Sequence, residues 1–335
     1  MPKPTLFDIA AQANVSLATV DRALNERPGV SNRAKRLVFA AATELGYLEP
    51  DSSPLKPVRL AFVLPEGTNT FLHELAEQVQ EQVKVMVQVS ATIALVRGFD
   101  PLAFAEKLTA LRDHVDGIAV MAVDHPIVRE AVRELLSAGT AVVTIGSDIR
   151  SVDHLGYVGI DDLQAGRLAG YLIGRLASGR ATKVAFFAGS ISYRGHQERE
   201  IGFRQILREE FKNLDVVEHR EVQDSRAMAE IEMKDILKRH LDIAAVYNAG
   251  GGTAGIAAVI EKSGRANDIN FVAHDLTNGN KGLLLRGTLD AVIDQNARLA
   301  VRETLSTLVH KVLGIQYRMV PPRVQVVFRE NLPSG

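Results

Sequence analysis

The stretch that decides the fold of the first part of this chain is TLFDIAAQANVSLATVDRALN, residues 5–25. Thr5, with Asp8 three residues later, forms a capping box at the start of a helix. Asn14 suits the left-handed position that ends a helix, and Ser16 is a good cap for a second one. The apolar residues of the first helix follow helical spacing at Leu6, Ile9, Ala10 and Ala13. The stretch therefore predicts two short helices joined by a tight turn.

The residues that follow predict a third helix. Pro28 and Gly29 break the second helix, and Ser31 caps the next one. The apolar stripe of this third helix is Val38, Ala41, Ala42 and Leu45, and it stops at Gly46. Residues 1–50 are therefore predicted to form an all-helical unit. Residues 51–57 are predicted to be a linker, because residues 49–57 contain three prolines and no periodicity.

From residue 58 onward, short apolar runs alternate with helical patterns. The predicted strands are Val58–Leu64, Thr92–Val96, Gly117–Ala122, Ala141–Ile145, Tyr157–Ile160, Lys183–Ala188, Ile243–Tyr247, Ile269–Ala273 and Ala291–Ile293. This alternation favours parallel sheets built from βα units. The pattern alone is compatible with one closed barrel or with two open sheets. In an open sheet, ligands bind at the carboxyl ends of the strands.

Composition limits the class of protein. The chain has 335 residues, of which 46% are hydrophobic and 24% charged, which is enough for two or three packed cores. It has no cysteine, so disulfides and thiolate metal sites are excluded. We find no apolar run long enough for a membrane span and no secretory apolar segment near the N-terminus, so we expect a cytoplasmic protein without membrane contacts.

The net charge of −1 gives no general affinity for nucleic acid, so any such affinity must come from a local patch. A modest basic patch lies between residues 22 and 36, where Glu26 is the one acidic residue facing five basic ones. The basic residues are Arg22, Arg27, Arg33, Lys35 and Arg36.

The second helix has the features of a helix that reads the major groove. Ser16 and Thr19 can donate to phosphates at its N-terminus, where the helix dipole also favours anions. Leu17 and Ala18 can contact a thymine methyl group, and Arg22 can reach a guanine with two hydrogen bonds. On spacing alone, a three-helix unit used for protein contacts is about equally compatible with these residues.

Several segments closely resemble the head of the lactose-repressor (LacI/GalR) family of bacterial transcription regulators. They are Leu6–Ala10, Val15–Asn25, Gly29–Ser31 and Glu44–Tyr47. The resemblance implies a helix-turn-helix head on an α/β effector domain similar to the type I periplasmic binding proteins, with two doubly wound lobes. The candidate DNA-contacting residues are Thr5, Ser16, Leu17, Ala18, Thr19, Arg22, Asn25, Lys35 and Leu55.

The sequence departs from the family pattern at two places. Asp21 stands where the family usually has Ser, and a carboxylate near phosphates needs a partner, for which Arg22 or Arg33 is the expected choice. The family also continues after Tyr47 with a hinge helix whose leucine wedges into the minor groove. Here the prolines oppose a helix, and Leu55 is the one apolar candidate for a wedge. We therefore expect an atypical hinge that binds the operator without the usual kink.

The resemblance extends over the rest of the chain and implies an effector domain over 58–335. Its first lobe would cover about 58–160 and 290–320, and its second lobe about 161–289 and 321–332. Arg199, Gly202 and Phe203 match the Arg-x-x-Gly-aromatic signature of the family, and a guanidinium there can hold two hydroxyls or a carboxylate.

Further candidate effector residues follow predicted strands. Asn248, Asp275 and Gln295 match ligand-binding positions of the family, and Phe71, Asp124 and Asp148 are weaker candidates. A polar residue at a strand end is more often a cap or a loop-stabilising group, except that for Arg199 and Asp275 we favour ligand contact. Together these groups suit a sugar, a polyol or a derivative.

Other readings of this part of the chain stay open. Gly250-x-Gly252-x-x-Gly255, with Asp275 about 20 residues on, formally matches a dinucleotide fingerprint and makes a nucleoside or nucleotide effector an alternative. A solute-binding α/β protein that does not act on DNA is another. The sequence contains no hydrolase, zinc-protease or P-loop motif, so we expect neither an enzyme nor a cofactor. The resemblance implies a repressor acting as a homodimer or tetramer.

Overall fold

A computed structural model describes residues 4–25, 30–47, 57–97, 99–179 and 182–333. The chain divides into two compact units, Met1–Pro57 and Val58–Gly335. None of the helices in the described ranges is long and apolar enough to cross a membrane. The same ranges contain no group of three or more histidine or acidic side chains that could hold a metal ion.

The first unit consists of the three predicted helices, α1 (Leu6–Ala13), α2 (Leu17–Leu24) and α3 (Asn32–Glu44). The capping box of Thr5 and Asp8 is present, and Asn14 ends α1 with a φ of 50°. Ser16 caps α2 by accepting from the Thr19 N–H. The buried side chains of the unit are Ile9, Ala13, Val20, Ala23, Val38, Ala41 and Ala42. The predicted helices, caps and core of this unit are confirmed. The predicted break at Pro28 and Gly29 lies outside the described residues.

The second unit contains two separate sheets, which confirms the two-lobed alternative and excludes a barrel. The first sheet is entirely parallel and has the order β2-β1-β3-β4-β5. Its strands are β1 (Val58–Glu66), β2 (Val89–Arg97), β3 (Gly117–Val120), β4 (Ala141–Ile145) and β5 (Tyr157–Val158). The helices that follow its first three strands are α4 (Thr70–Val83), α5 (Pro101–Leu111) and α6 (Pro126–Ser137).

The second sheet has the order β11-β10-β9-β8-β6-β7 and is parallel except for β11, which is antiparallel to β10. Its strands are β6 (Thr182–Ala188), β7 (Leu214–Glu221), β8 (Ile243–Asn248), β9 (Asn270–His274), β10 (Ala291–Asp294) and β11 (Gln325–Val327). Its helices are α7 (Asp162–Leu176), α8 (Arg194–Glu210), α9 (Arg226–Arg239), α10 (Thr253–Lys262) and α11 (Asn278–Arg286). Alternate residues of β6 enter two cores on opposite faces of the sheet, as the period of a strand requires.

The chain crosses between the lobes three times, and the second crossing differs from the prediction. We expected the chain to return to the first lobe at about residue 290, which would place β10 there. Instead β10 pairs with β9 and β11, so it belongs to the second sheet. The return follows Asp294, and the helix after it, α12 (Ala297–Val312), packs into the core of the first lobe. The chain then re-enters the second lobe at β11.

The strand β7 was not predicted, because its sequence, LDVVEHRE, lacks a continuous apolar run. It is an edge strand paired with β6 alone, and half-exposed edge positions tolerate charged side chains. The short strand β11 was not predicted either, since its three residues carry too little periodicity.

Close packing of α7 against α8 depends on glycine. A Cβ atom on Gly166 would collide with the backbone carbonyl of Arg199, and one on Gly202 would collide with that of Leu163. The two helices therefore approach until their backbones touch. This contact brings Asp162, the first residue of α7, beside the guanidinium of Arg199.

Candidate functional site

The head presents one continuous exposed face on α2. Leu17, Ala18, Arg22 and Asn25 are exposed, whereas Val20 is fully buried with the core. Ala18, Arg22 and Asn25 follow one another at helical spacing, so they share a face. The side chains predicted to reach base edges are therefore directed away from the core, as groove contact requires.

The hydroxyl groups at the start of α2 are held by each other. The Oγ of Ser16 lies 2.8 Å from the Oγ1 of Thr19 and accepts from its backbone N–H at 3.2 Å. This pair keeps both hydroxyls at the helix N-terminus, where the dipole is positive.

The remaining candidates of the head are less uniform. Thr5 donates its hydroxyl and its backbone N–H to Asp8, each at 2.7 Å, and this bonding lowers the pKa of Asp8. Lys35 is half-buried in the first turn of α3. Leu55, the candidate wedge, lies outside the described residues, and so does most of the predicted linker.

The carboxylate of Asp21 accepts a hydrogen bond from the amide of Asn25, and the expected pairing with Arg22 or Arg33 stays a prediction. Its Oδ1 accepts from the Nδ2 of Asn25 at 2.9 Å, and its backbone carbonyl accepts from the same nitrogen at 2.9 Å. Both partners of Nδ2 are acceptors, so the amide of Asn25 has a fixed orientation with its oxygen turned away from Asp21.

A small cavity lies between the two lobes at the carboxyl ends of their strands, and its volume is about 40 Å³. Its walls come from both lobes. The lining residues of the first lobe are Pro65, Asn69, Phe71, Leu72, Met121, Gly146 and Ser147. Those of the second lobe are Tyr193, Gly195, His196, Arg199, Asp224, Gly250 and Asp275, and Gln295 lines the cavity from the second crossing. Phe71, Arg199, Asp275 and Gln295 are thus brought together as predicted.

Arg199 reaches the cavity from α8 but is already bonded within its own lobe. Its Nε donates to the Oδ1 of Asp162 at 2.7 Å, and its Nη1 donates to the carbonyl of Ala249 at 2.7 Å. Both members of the ion pair are only 3% exposed. Burial disfavours the charged guanidinium, but Asp162 outweighs it together with the neighbouring groups and raises the pKa of Arg199.

Asp275 lies immediately after β9 in a left-handed conformation, with a φ of 68°. Its Oδ1 accepts from the Nε2 of Gln295 at 2.7 Å, and its carbonyl accepts from Asn280 at 2.8 Å. Burial raises the pKa of Asp275 to about 7, although Arg199 and Gln295 oppose the rise. The Oε1 of Gln295, also buried, has no hydrogen-bond partner among the described residues.

Three predicted effector residues do not line the cavity. Asp124 is bonded to the Nε of Arg129 at 2.7 Å, and Asp148 to the Nη1 of Arg194 at 2.9 Å. Asn248 is fully buried, and its Nδ2 donates to residues of the loop that leads into α10. Asp124 and Asn248 thus bond to neighbouring parts of their own loops, whereas Asp148 bonds to a residue of the other lobe.

Two pairs of side chains join the lobes at the rim. Asp148 pairs with Arg194 of the second lobe, and Arg150 pairs with Glu198 at 3.0 Å. His154 and Thr144 also donate to Asp148. Burial alone would raise the pKa of Asp148, but these hydrogen bonds hold it below its usual value.

The sequence analysis missed Asn69, His196 and Asp224 as wall residues. Asn69 caps α4 and could have been found as the cap before Phe71. His196 is half-buried in the cavity wall, and its burial lowers its pKa. Asp224 follows β7, and because that strand was not predicted, Asp224 was not recognised as a residue at a strand end.

The glycines of the apparent dinucleotide fingerprint have packing roles. Gly252 caps α10 with a φ of 88°. A Cβ atom on Gly255 would collide with the carbonyl of Arg226, so this glycine allows α10 to pack on α9. Gly250 lies against Asp224 and His196 in the cavity wall.

Two family models match the chain. The model described as bacterial regulatory proteins, lacI family, matches residues 5–49, and the periplasmic binding protein domain matches residues 60–315. The first match covers the three helices of the head, and the second covers both lobes.

Curated relatives include transcription regulators of two species. The chain is 27% identical over 216 residues to the HTH-type transcriptional regulator DegA of Bacillus subtilis, and 26% identical over 211 residues to the catabolite control protein A of Priestia megaterium. These alignments cover 62% and 61% of this chain. The chain spans 61% of the length of each of these relatives.

Solved structures with the same fold include sugar-binding proteins. GanP of Geobacillus stearothermophilus, a glucose-galactose binding protein, has a TM-score of 0.74 at 24% identity, covering 83% of this chain and 100% of its own. A solute-binding protein of Burkholderia graminis in complex with D-arabinose has a TM-score of 0.77 at 20% identity, covering 83% and 97%. The chain therefore joins a head that matches the lacI family of bacterial regulatory proteins to a two-lobed domain that belongs to the periplasmic binding protein domain family.

Proposed function

We propose that the protein is a sequence-specific DNA-binding transcription regulator whose operator affinity is controlled by a small hydroxyl-bearing metabolite. The observation that carries the proposal is the pairing of an exposed α2 face with a polar cleft in one chain. The regulatory relatives support the first half. The second half is supported by the fold that the chain shares with a glucose-galactose binding protein and with a solute-binding protein in complex with D-arabinose. We further propose a repressor that acts without a cofactor and catalyses no reaction.

The mechanism follows from linkage between the two sites. Small-molecule sites usually enclose roughly 300–1,000 Å³, and the cavity encloses about 40 Å³. A ring-sized ligand must therefore part the lobes or shift their walls before it can bind. A metabolite that favours one lobe arrangement changes operator affinity if the heads of a homodimer bind DNA better in one arrangement than in the other. A coupling of about 1–3 kcal/mol gives a 5–150-fold effect.

DNA enriched from a random pool by the full chain provides the test of the first half. Arg22→Ala removes a long exposed donor from the α2 face without touching the core, and we expect it to weaken binding by about 10–100-fold, the range for one bidentate base contact. The matched control is Arg97→Ala, because the Arg97 side chain is 93% exposed and lies on β2. Equal affinities of the two variants, or no enriched DNA at all, would contradict the proposal.

The effector half is tested by a thermal-shift screen of sugars, polyols and nucleosides against the full chain. A ligand present at 100 times its Kd stabilises the folded state by roughly 2.7 kcal/mol, which such a screen detects. Stabilisation by a nucleoside and by none of the sugars or polyols would instead favour the nucleotide-type alternative.

A further inference from the structure

The charge of the cavity wall is set by how its one arginine is paired. Arg199 is the one permanent cation among the described lining residues, and Asp162 neutralises it at 2.7 Å. Because both groups are buried, removing the guanidinium from that carboxylate would leave an uncompensated charge in the interior. A ligand therefore meets an arginine whose charge is already balanced.

Asp224 brings a second carboxylate to the seam between the lobes. Its Oδ1 accepts from the Gly251 N–H, and its Oδ2 accepts from the Nδ2 of Asn69 at 3.0 Å. Its carbonyl accepts from the hydroxyl of Thr68 at 3.0 Å. Asn69 and Thr68 belong to the first lobe, so Asp224 contacts both lobes and the cavity at once.

The backbone at Asp224 supports this reading. Gln223 and Asp224 are both left-handed, with φ values of 50° and 54°. For residues other than glycine each such conformation is strained. Such a conformation persists only where surrounding contacts hold it, and the bonds to Asn69, Thr68 and Gly251 are those contacts.

The other titratable groups of the wall supply no positive charge. Burial lowers the pKa of His196, which disfavours its positively charged form. Asp275 changes only between neutral and negative, because burial raises its pKa to about 7. Glu74 and Asp294 add further negative potential at Asp275. The wall is therefore balanced at Arg199 and negative elsewhere.

The hydrogen-bonding groups of the wall also favour a ligand without negative charge. The Oε1 of Gln295 is a buried acceptor without a partner among the described residues, and the hydroxyls of Ser147 and Tyr193, which can donate or accept, also lack one there. Carboxylate and amide oxygens accept hydrogen bonds, so the ligand must supply donors. Hydroxyl and ammonium groups do so, and carboxylate and phosphate groups do not.

We propose that the cleft takes an uncharged polyhydroxyl ligand or its amino derivative and rejects the carboxylate and phosphate derivatives of the same skeleton. The inference rests on the proposed effector site and assigns Asp224 as the residue that excludes anions. Two negative charges about 4 Å apart, at an effective dielectric constant near 20, lower affinity by roughly a thousandfold.

The test is a calorimetric and thermal-shift panel on the full chain, at matched ionic strength. The probes are D-galactose, D-galactosamine, D-galacturonate and galactose 6-phosphate, the corresponding glucose series, ribose with ribose 5-phosphate, and myo-inositol. In any series that binds, the neutral or amino member should bind at least a hundredfold more tightly than the acid or the phosphate. A tighter acid or phosphate overturns the inference, and so does a panel in which no neutral or amino member binds.

A pair of variants assigns the effect to Asp224. Asp224→Asn keeps the size and an acceptor oxygen while removing the charge, so the affinity gap between neutral and acidic members should narrow at least tenfold. The control is Asp215→Asn, which removes the same charge from an exposed position on β7 and should leave the gap unchanged. An unchanged gap in Asp224→Asn overturns its assignment. Operator binding by the full chain is a separate readout, so failure of the regulator proposal is recognised independently.

Discussion

The pH dependence of stability gives a quantitative check on the cleft. Burial raises the pKa of Asp275 to about 7, whereas an aspartate in an unfolded chain titrates near 4. The folded protein therefore holds a proton at Asp275 that the unfolded chain has released by pH 6. Because the folded pKa is the higher one, stability from this group is present at low pH and is lost as pH rises through about 7.

The size of the loss follows from linkage. Between pH 6 and pH 8 the folded state holds on average about half a proton at this site and the unfolded state almost none. The free energy of unfolding should therefore fall by about 1.4 kcal/mol over this interval from Asp275 alone. The perturbation is Asp275→Asn. The asparagine side chain cannot ionise, but it keeps an oxygen that can accept the hydrogen bond from Gln295.

Calorimetry of the full chain at fixed protein concentration, at pH 6 and at pH 8, measures the difference. The variant should lose less stability than the wild type over this range, by about 1.4 kcal/mol, or about 3 °C in Tm. Comparing the two proteins cancels the contributions of the histidines, of which His274, with a lowered pKa, acts in the opposite sense and His154, with a raised pKa, in the same sense. An identical pH dependence in the two proteins would refute the reasoning.

Glu74 has a pKa that is also raised to about 7, first by burial and then by Asp294. It is about half-buried, so solvent screening reduces its share. Glu74→Gln should therefore reduce the fall in the free energy of unfolding between pH 6 and pH 8 by less than Asp275→Asn does. A larger effect at Glu74 than at Asp275 would mean that the buried position of Asp275 is wrong.

Two further variants test the architecture around the site. Gly255→Ala places a methyl group against the carbonyl of Arg226 and should lower the free energy of unfolding by about 1–3 kcal/mol. The control is Gly67→Ala, which has no atom within 4 Å of the new Cβ and should change that free energy by less than about 0.5 kcal/mol. Equal melting temperatures of the two variants would contradict the close approach of α10 and α9. Asn248→Ala should cost about 1–3 kcal/mol through lost loop hydrogen bonds while keeping the order of ligand affinities. Unchanged stability with abolished ligand binding would instead show direct ligand contact by Asn248.

The head was predictable because its signals are local. Caps such as Thr5 and Ser16, the left-handed Asn14 and the apolar spacing act within one or two turns, and each is present in the structure. The hydrogen bond from Asn25 to Asp21 was not predicted, although the two residues lie one helical turn apart, because the expected partners of this carboxylate were arginines.

The cleft was predictable where a residue followed a recognised strand or, as for Arg199, matched a signature of the family. Asp275 and Gln295 follow β9 and β10 and line the cavity. Asp124 and Asn248 also follow strands, but their partners are set by loops whose course the sequence does not encode locally. Asp224 was missed because β7 is polar, and the pairing of Arg199 with Asp162 depends on two helices touching through glycine.

The glycine contact between α7 and α8 has a consequence for how this fold changes its ligand during evolution. A side chain at Gly166 or Gly202 would force the two helices apart. The position of Arg199 on α8 is therefore fixed by the packing of the helix backbones, and substitutions at these glycines should be poorly tolerated. Asn69, Asp224 and Gln295 lie on loops and crossings, where exchange leaves helix packing intact. New ligand preferences should therefore arise by exchange at these loop positions around an inherited, immobile arginine–aspartate pair.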